Sequence, residues 1–100
     1  MRSRFAAYAV GDVDYIIATT APDGPQFQAD RSAWARSIAA FSAATRFEKL
    51  EVRASSPIVD ERGEVEFFAR LSRDGEDVSF VERSVFVRRD DRWVYFGPVE

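Results

Sequence analysis

One hundred residues is the length of a single domain, and a chain that is 46% hydrophobic and 14% aromatic can build a core without metal or disulfide staples. The chain has no Cys and no His, which removes disulfides, thiol nucleophiles, sulfur-ligated metals, histidine-based zinc sites and the usual hydrolase triad. Its formal net charge is −3, with arginines and acids interspersed and no basic run, so nothing predicts a nucleic-acid footprint.

The opening M-R-S-R-F-A-A-Y has no apolar stretch of signal-peptide length, and no run of about 18 apolar residues predicts a membrane span. A soluble, cytoplasmic protein is the default. Arg2 to Val10 reads as a helix, with Phe5, Tyr8 and Ala9 at helical spacing. Gly11 is a natural stop. Asp12 can cap a second turn, D-V-D-Y-I-I-A-T-T, that faces Val13, Ile16 and Ile17 inward. The prolines and glycine of A-P-D-G-P-Q-F-Q-A predict a loop. Asp30 can cap a third helix from Arg31 to about Ala43, with Trp34, Ile38 and Phe41 on one stripe.

From Phe47 the period changes to two: Leu50, Val52 and Ala54 alternate with Lys49, Glu51 and Arg53. The turns D-E-R-G, D-G and D-D then separate further strands, and together they set a register. A four-residue loop at Asp60–Gly63 pairs Val59 with Glu64, Ala54 with Ala69 and Val52 with Leu71. A turn at Asp74-Gly75 pairs Leu71 with Val78, Ala69 with Phe80 and Phe67 with Glu82. One at Asp90-Asp91 pairs Arg88 with Trp93 and Phe86 with Tyr95. One face then carries Leu50, Val52, Ala54, Ile58, Val65, Phe67, Ala69, Leu71, Val78, Phe80, Phe86, Trp93 and Tyr95, with Glu82 among them. The helices need an apolar surface and pack there. The expected fold is an α+β roll: one domain over residues 1–100, with three N-terminal helices on a curved antiparallel sheet of about four strands. The opposite face, with Phe68, Val81, Val85, Val87, Val94 and Phe96, is too apolar to lie idle in solvent. Either a tail or loop covers it, or it is a homodimer face through Phe68, Val85, Val87, Val94 and Phe96, and the dimer is the preferred expectation.

Helices followed by a strongly bent sheet resemble the nuclear transport factor 2-like (cystatin-like roll) superfamily. M-R-S-R-F-A-A-Y-A-V-G-D-V-D-Y-I-I-A-T-T, V-E-F-F-A-R and E-R-S-V-F-V-R-R-D-D-R-W-V-Y resemble the central domain of the YchJ family. The resemblance covers nearly the whole chain and is weakest from Asp23 to Phe47. Members of that family usually flank this domain with Cys-rich SEC-C segments that look zinc-binding. With no Cys here, no metal is carried over and no cofactor is expected. Met1 stands where the family has an internal Met, which implies a stand-alone or trimmed version of the domain. In the superfamily, the cone between helices and sheet often holds small apolar ligands, and some members are isomerases, dehydratases or hydrolases that use Asp, His or Tyr there.

Glu82 is the first candidate for chemistry. Its face is lined by Phe67, Phe80, Phe86, Trp93 and Tyr95, and a carboxylate so placed can become a general acid or base. The plainer reading, and the expected one, is an ion pair with Arg4 or Arg2 of the first helix, with Tyr8 or Ser84 adding hydrogen bonds. Tyr8, Tyr15, Trp34 and Tyr95 could line a ligand cavity, although such residues are more often core. Asp12 and Asp14 could form an acid pair with Tyr15 at the cone mouth, but a helix cap and a solvated first-turn acid account for both. Arg88, Arg89 and Arg92 read as a solvated hairpin end balanced by Asp90 and Asp91. Asp74-Gly75 is turn chemistry rather than a phosphate loop. The expected function is a non-enzymatic domain that binds a small apolar molecule or serves as an accessory or interaction module. The alternative is a small SnoaL-like enzyme using Glu82, assisted by Tyr8 or Tyr95.

Overall fold

Several helix ends lie where a cap satisfies their free backbone groups. The computed structural model describes residues 1–99. Helix α1 (Arg2–Val10) ends at Gly11, whose φ of 73° is left-handed. The Gly11 and Asp12 amides donate to the Tyr8 and Ala7 carbonyls, a Schellman closure that satisfies the last turn. Asp12 then caps α2 (Val13–Ala18) by accepting from the Tyr15 amide at 3.2 Å. Asp30 caps α3 (Arg31–Ala44) by accepting from the Ala33 amide at 3.0 Å. The apolar faces of the three helices meet in one cluster: Ala7, Ile16, Ile17, Trp34 and Ile38.

The rest of the chain is an antiparallel meander of β1 (Arg46–Ser55), β2 (Arg62–Arg73), the short β3 (Glu76–Asp77), β4 (Phe80–Arg89) and β5 (Arg92–Pro98). The strand order is β1-β2-β4-β5, with β3 paired to β2. Three two-residue turns join the strands, at Asp60-Glu61, Asp74-Gly75 and Asp90-Asp91. All six turn residues have positive φ, the conformation whose twist matches flanking antiparallel strands.

The D-G and D-D turns set the registers the sequence predicts: Phe67 lies opposite Glu82, Ala69 opposite Phe80, Arg88 opposite Trp93 and Phe86 opposite Tyr95. The β1–β2 register differs. Val52 lies opposite Phe67 rather than Leu71, and Ala54 opposite Glu66 rather than Ala69. The loop is a tighter turn than expected, with Val59 bridged to Arg62 across Asp60-Glu61. Register shifts between Phe47 and Lys49 and between Val52 and Ala54 take up the difference. Val52 moves by an even number of residues and keeps its face. Ala54 moves by an odd number and is exposed. These irregularities, with another between Val85 and Phe86, bend and twist the sheet.

The helices cover only part of the concave face. Phe67, Ala69 and Leu71 are buried there under Phe5, Phe41, Phe47 and Leu50, and full burial of a side chain such as Phe67 contributes about 1.5–3 kcal/mol. At the other end Ile58 is 66% exposed and Trp93 41% exposed.

On the convex side a loop does the covering. The chain leaving α2 runs along β5, with the Ala21 amide donating to the Tyr95 carbonyl at 2.8 Å and the Tyr95 amide donating to the Thr19 carbonyl at 2.7 Å. Ala21 seals Val85, Val87 and Val94, with Phe96 packed beside them. Three of the five residues expected to meet a second copy are therefore buried within the chain. Of the other two, Phe96 is half-buried in that cluster, and Phe68 is half-buried with the Arg53 guanidinium 5.1 Å from its ring.

Candidate functional site

Between the helices and the concave sheet lies a cavity of about 200 Å³. Helix α1 contributes Arg4, Phe5 and Tyr8, and α3 contributes Phe41. The strands contribute Phe47, Phe67, Phe80, Glu82 and Tyr95, and the loop after α2 contributes Gln26. The aromatic wall is interlocked edge to face: Phe5 with Phe47 at 5.6 Å, Tyr8 with Phe41 at 5.7 Å, and Phe67 with Phe80 at 5.7 Å between ring centroids. Such pairs hold their rings in fixed orientations.

Two charged groups face this apolar space. Glu82 is half-buried, and its Oε2 accepts from Ser84 Oγ at 2.5 Å and from the Tyr95 hydroxyl at 2.9 Å. Ser84 sits two residues along β4, so both side chains share one face, and Ser84 is fully buried. Among the described residues no hydrogen bond reaches Glu82 Oε1. Burial first, then the Glu82 charge and hydrogen bond, push the Tyr95 phenol well above the usual tyrosine range. Tyr95 therefore stays protonated and donates.

Arg4 is 5% exposed. Its Nη1 donates to the Thr19 hydroxyl at 2.6 Å, the Ile16 carbonyl at 3.2 Å and the Thr20 hydroxyl at 3.4 Å. The guanidinium carbon lies 4.7 Å from the Tyr95 ring centroid and 6.0 Å from that of Tyr8. Burial lowers its pKa from the ordinary guanidinium value, and the neighbouring Tyr8 and Tyr95 phenols push the other way.

The expected Glu82–Arg4 ion pair does not form. Among the described residues neither Arg4 nor Arg2 is ion-paired, and neither is Glu82. The reason lies in α2. Its last turn presents the Ile16 carbonyl, which also accepts from the Thr20 hydroxyl at 2.7 Å, and two threonine hydroxyls where Arg4 reaches it, and a helix C-terminus attracts a cation. Arg4 ties helix to helix, and Tyr95 stands between it and Glu82, offering its ring face to one and its hydroxyl to the other.

Of the pocket residues expected from sequence, Tyr8, Phe67, Phe80, Glu82 and Tyr95 line the cavity. Four lie elsewhere. Tyr15 is 37% exposed and donates to Ser3 Oγ at 2.7 Å. Trp34 is buried in the helix cluster, with Phe27 at 5.1 Å between ring centroids. Phe86 and Trp93 line a neighbouring hollow beside Ile58. Asp12 and Asp14 form no rim pair, since Asp12 caps α2 and Asp14 pairs with Arg31 at 3.1 Å. At the last hairpin Arg88 pairs with Asp91 at 3.1 Å, but Arg89 reaches Asp23 at 2.9 Å and so pins the covering loop.

Phe5 and Phe41 lie on the inward helical stripes, so their place in the wall is legible as packing. Phe47 opens the first strand pattern. Gln26 sits in a loop with no periodic signal. Among the described residues no group of three or more acids could hold a metal, and no helix is long and apolar enough to cross a membrane.

Three helices on a bent antiparallel meander, enclosing a cavity between the layers, define an NTF2-like domain. The chain belongs more narrowly to the family of the YchJ middle NTF2-like domain, whose model matches residues 1–98. It is 38% identical over 103 aligned residues to a UPF0225 protein of Pectobacterium carotovorum, covering 99% of this chain and 63% of that protein. It is also 38% identical to a SEC-C motif containing protein from Rhodopseudomonas palustris solved in solution, with a TM-score of 0.81, covering 99% of this chain and 73% of that one. A SEC-C motif containing protein from Psychrobacter arcticus matches at 25% identity with a TM-score of 0.76, covering 99% of this chain and 57% of that one. The chain thus spans 58–66% of the length of the curated relatives it matches.

Proposed function

We propose that this domain binds a small molecule with an apolar body in the cavity between helices and sheet, and that it does so without transforming it. The observation that carries this reading is the cavity itself: about 200 Å³, walled by interlocked rings, with a few polar groups converging on it. That is the general form of a ligand site, although its volume falls below the range of about 300–1,000 Å³ usual for drug-sized ligands. The ligand is correspondingly small.

An enzyme of the SnoaL-like kind, with Glu82 as acid or base, is the second reading. It is favoured by one observation: the cavity reaches Glu82, and no arginine is ion-paired to it among the described residues. The two hydroxyls on Oε2 weigh against it, because that oxygen is already engaged as an acceptor from the protein's own groups. A binding role needs only that the carboxylate accept.

The binding reading is tested by titrating the protein with benzyl alcohol, a small neutral aromatic probe, and following the backbone amide resonances. Perturbations confined to Ala69, Leu71, Glu82, Tyr95 and their neighbours are expected. Perturbations that are absent, or scattered over the surface, would refute it.

A further inference from the structure

We propose that the ligand of this cavity is a small carboxylic acid whose apolar body carries a hydrogen-bond donor, a hydroxyl or ammonium group, close to the acid. The inference rests on the reading of the cavity as a ligand site and adds the chemistry that the site selects.

The first observation is Arg4. It is 95% buried by accessible surface, it carries a full charge, and it lines the cavity. Every hydrogen bond that it makes among the described residues leaves from Nη1 and ends on a neutral carbonyl or hydroxyl. No anion is paired with it among the described residues, although it lines the cavity. A buried guanidinium without an anion is electrostatically incomplete, and a carboxylate is the group that its planar fork matches best.

The second is Glu82. Its Oε2 is taken by Ser84 and Tyr95, and its Oε1 has no partner among the described residues. An ionised carboxylate only accepts, so whatever meets Oε1 must donate.

The third is the spacing. Arg4 lies over the face of the Tyr95 ring and Glu82 lies at its hydroxyl, so a molecule touching both need span little more than one phenol. A bare carboxylate at Arg4 would feel repulsion from Glu82. A donor placed between the two carboxylates removes that conflict.

The volume limits the rest. About 200 Å³ is the space of roughly seven liquid waters, enough for an acid with one ring or a short branched chain and too little for a nucleotide. The aromatic walls take that apolar body.

Three matched probes test the inference by titration of the amide resonances. Mandelate has a phenyl ring, a hydroxyl and a carboxylate. Phenylacetate lacks the hydroxyl, and 1-phenyl-1,2-ethanediol lacks the carboxylate. Mandelate should bind most tightly, with the diol about tenfold or more weaker, as loss of one charge-assisted hydrogen bond implies, and phenylacetate should also be weaker. Glu82→Gln should narrow the gap between mandelate and phenylacetate by removing the repelling charge. Arg4→Lys keeps the cation and supports the fold but loses the fork, and should weaken mandelate severalfold.

A diol that binds as well as mandelate would overturn the acid while leaving the cavity as a ligand site. Phenylacetate binding as well as mandelate would overturn the donor. Mandelate binding unchanged in a folded Arg4→Lys variant would overturn Arg4 as the acid's partner. If none of the three probes, nor benzyl alcohol, perturbs the cavity resonances, both this inference and the binding function fall.

Discussion

Removing one oxygen atom from Tyr95 tests the central arrangement of the site. Tyr95→Phe keeps the ring that faces Arg4 and deletes only the hydroxyl that donates to Glu82 at 2.9 Å. A hydrogen bond to a charged group contributes about 1.5–3 kcal/mol net. Glu82 is half-buried and retains Ser84, which places the expected loss at or just below the low end of that range, about 1–1.5 kcal/mol. For a domain of this size each kcal/mol corresponds to about 4–8 °C in Tm, so the variant should melt roughly 4–12 °C lower at neutral pH.

The same substitution should change the alkaline limb. The folded phenol has a raised pKa because it is desolvated and faces Glu82, with Arg4 opposing and Tyr8 adding to the shift. Above about pH 10 the unfolded chain gives up this proton while the folded chain keeps it. The folded state then binds more protons, and stability falls as pH rises, by at most about 1.4 kcal/mol per pH unit. Because the ring is only part-buried, solvent reduces the shift and with it the total stability lost over this range. Thermal melts from pH 7 to 11 read both effects: the variant should start lower and decline less steeply above pH 10. An unchanged neutral Tm together with an unchanged alkaline slope would refute the Tyr95–Glu82 contact and the geometry built on it.

Two further perturbations test the frame around the site. A Cβ at Gly24 would lie 2.6 Å from the Phe96 carbonyl oxygen, a backbone atom that cannot swing away, so Gly24→Ala should cost about 1–3 kcal/mol and loosen the loop that covers Val85 and Val94. Faster hydrogen exchange at the Ala21 and Tyr95 amides is the expected readout, and an unaltered rate would count against the close approach. Glu61 holds a φ of 59° in the second position of its turn, where glycine avoids a steric cost of about 1 kcal/mol. Glu61→Gly would give this turn the Asp-Gly sequence already present at Asp74-Gly75 and should raise Tm by a few degrees; a lower melt would show that the turn is not as described.

Much of this structure is legible because turn chemistry counts residues. Asp74-Gly75 and Asp90-Asp91 each leave one way to pair their flanking strands, and the pairings of Phe67 with Glu82 and Phe86 with Tyr95 follow. D-E-R-G admits more than one loop length, and no sequence pattern marks the two irregularities of β1, so the first hairpin carries the register error. The partition of the helix-facing surface between cavity and core is also not legible. Trp34 and Phe41 share a stripe on α3, yet Trp34 turns to the other helices and Phe41 to the sheet. Periodicity gives the buried side of a helix but not which neighbour each residue meets. The partner of Arg4 is the least legible feature, since a buried cation can be satisfied by a carboxylate or by a helix C-terminus, and only the packing of α1 against α2 decides between them.

That decision shapes the chemistry of the cavity more than any single lining ring. Had Arg4 reached Glu82, the two charges would have cancelled and the cavity would have been a plain apolar hole with a crosslink at its side. Instead each charge is held by neutral partners: a carbonyl and two hydroxyls for Arg4, two hydroxyls for Glu82. Neutral dipoles stabilise an ion without neutralising its field, and beside aromatic walls that field extends into the half-open cavity. The cavity therefore presents a positive group and a negative group across one phenol. A wholly apolar molecule could fill it but would leave both fields unanswered. A molecule of opposite polarity, with its anion toward α1 and its donor toward β4, would answer both. Charge substitutions at Arg4 and Glu82 should therefore act in opposite directions on the binding of a simple acid, an outcome that a purely hydrophobic site would not produce.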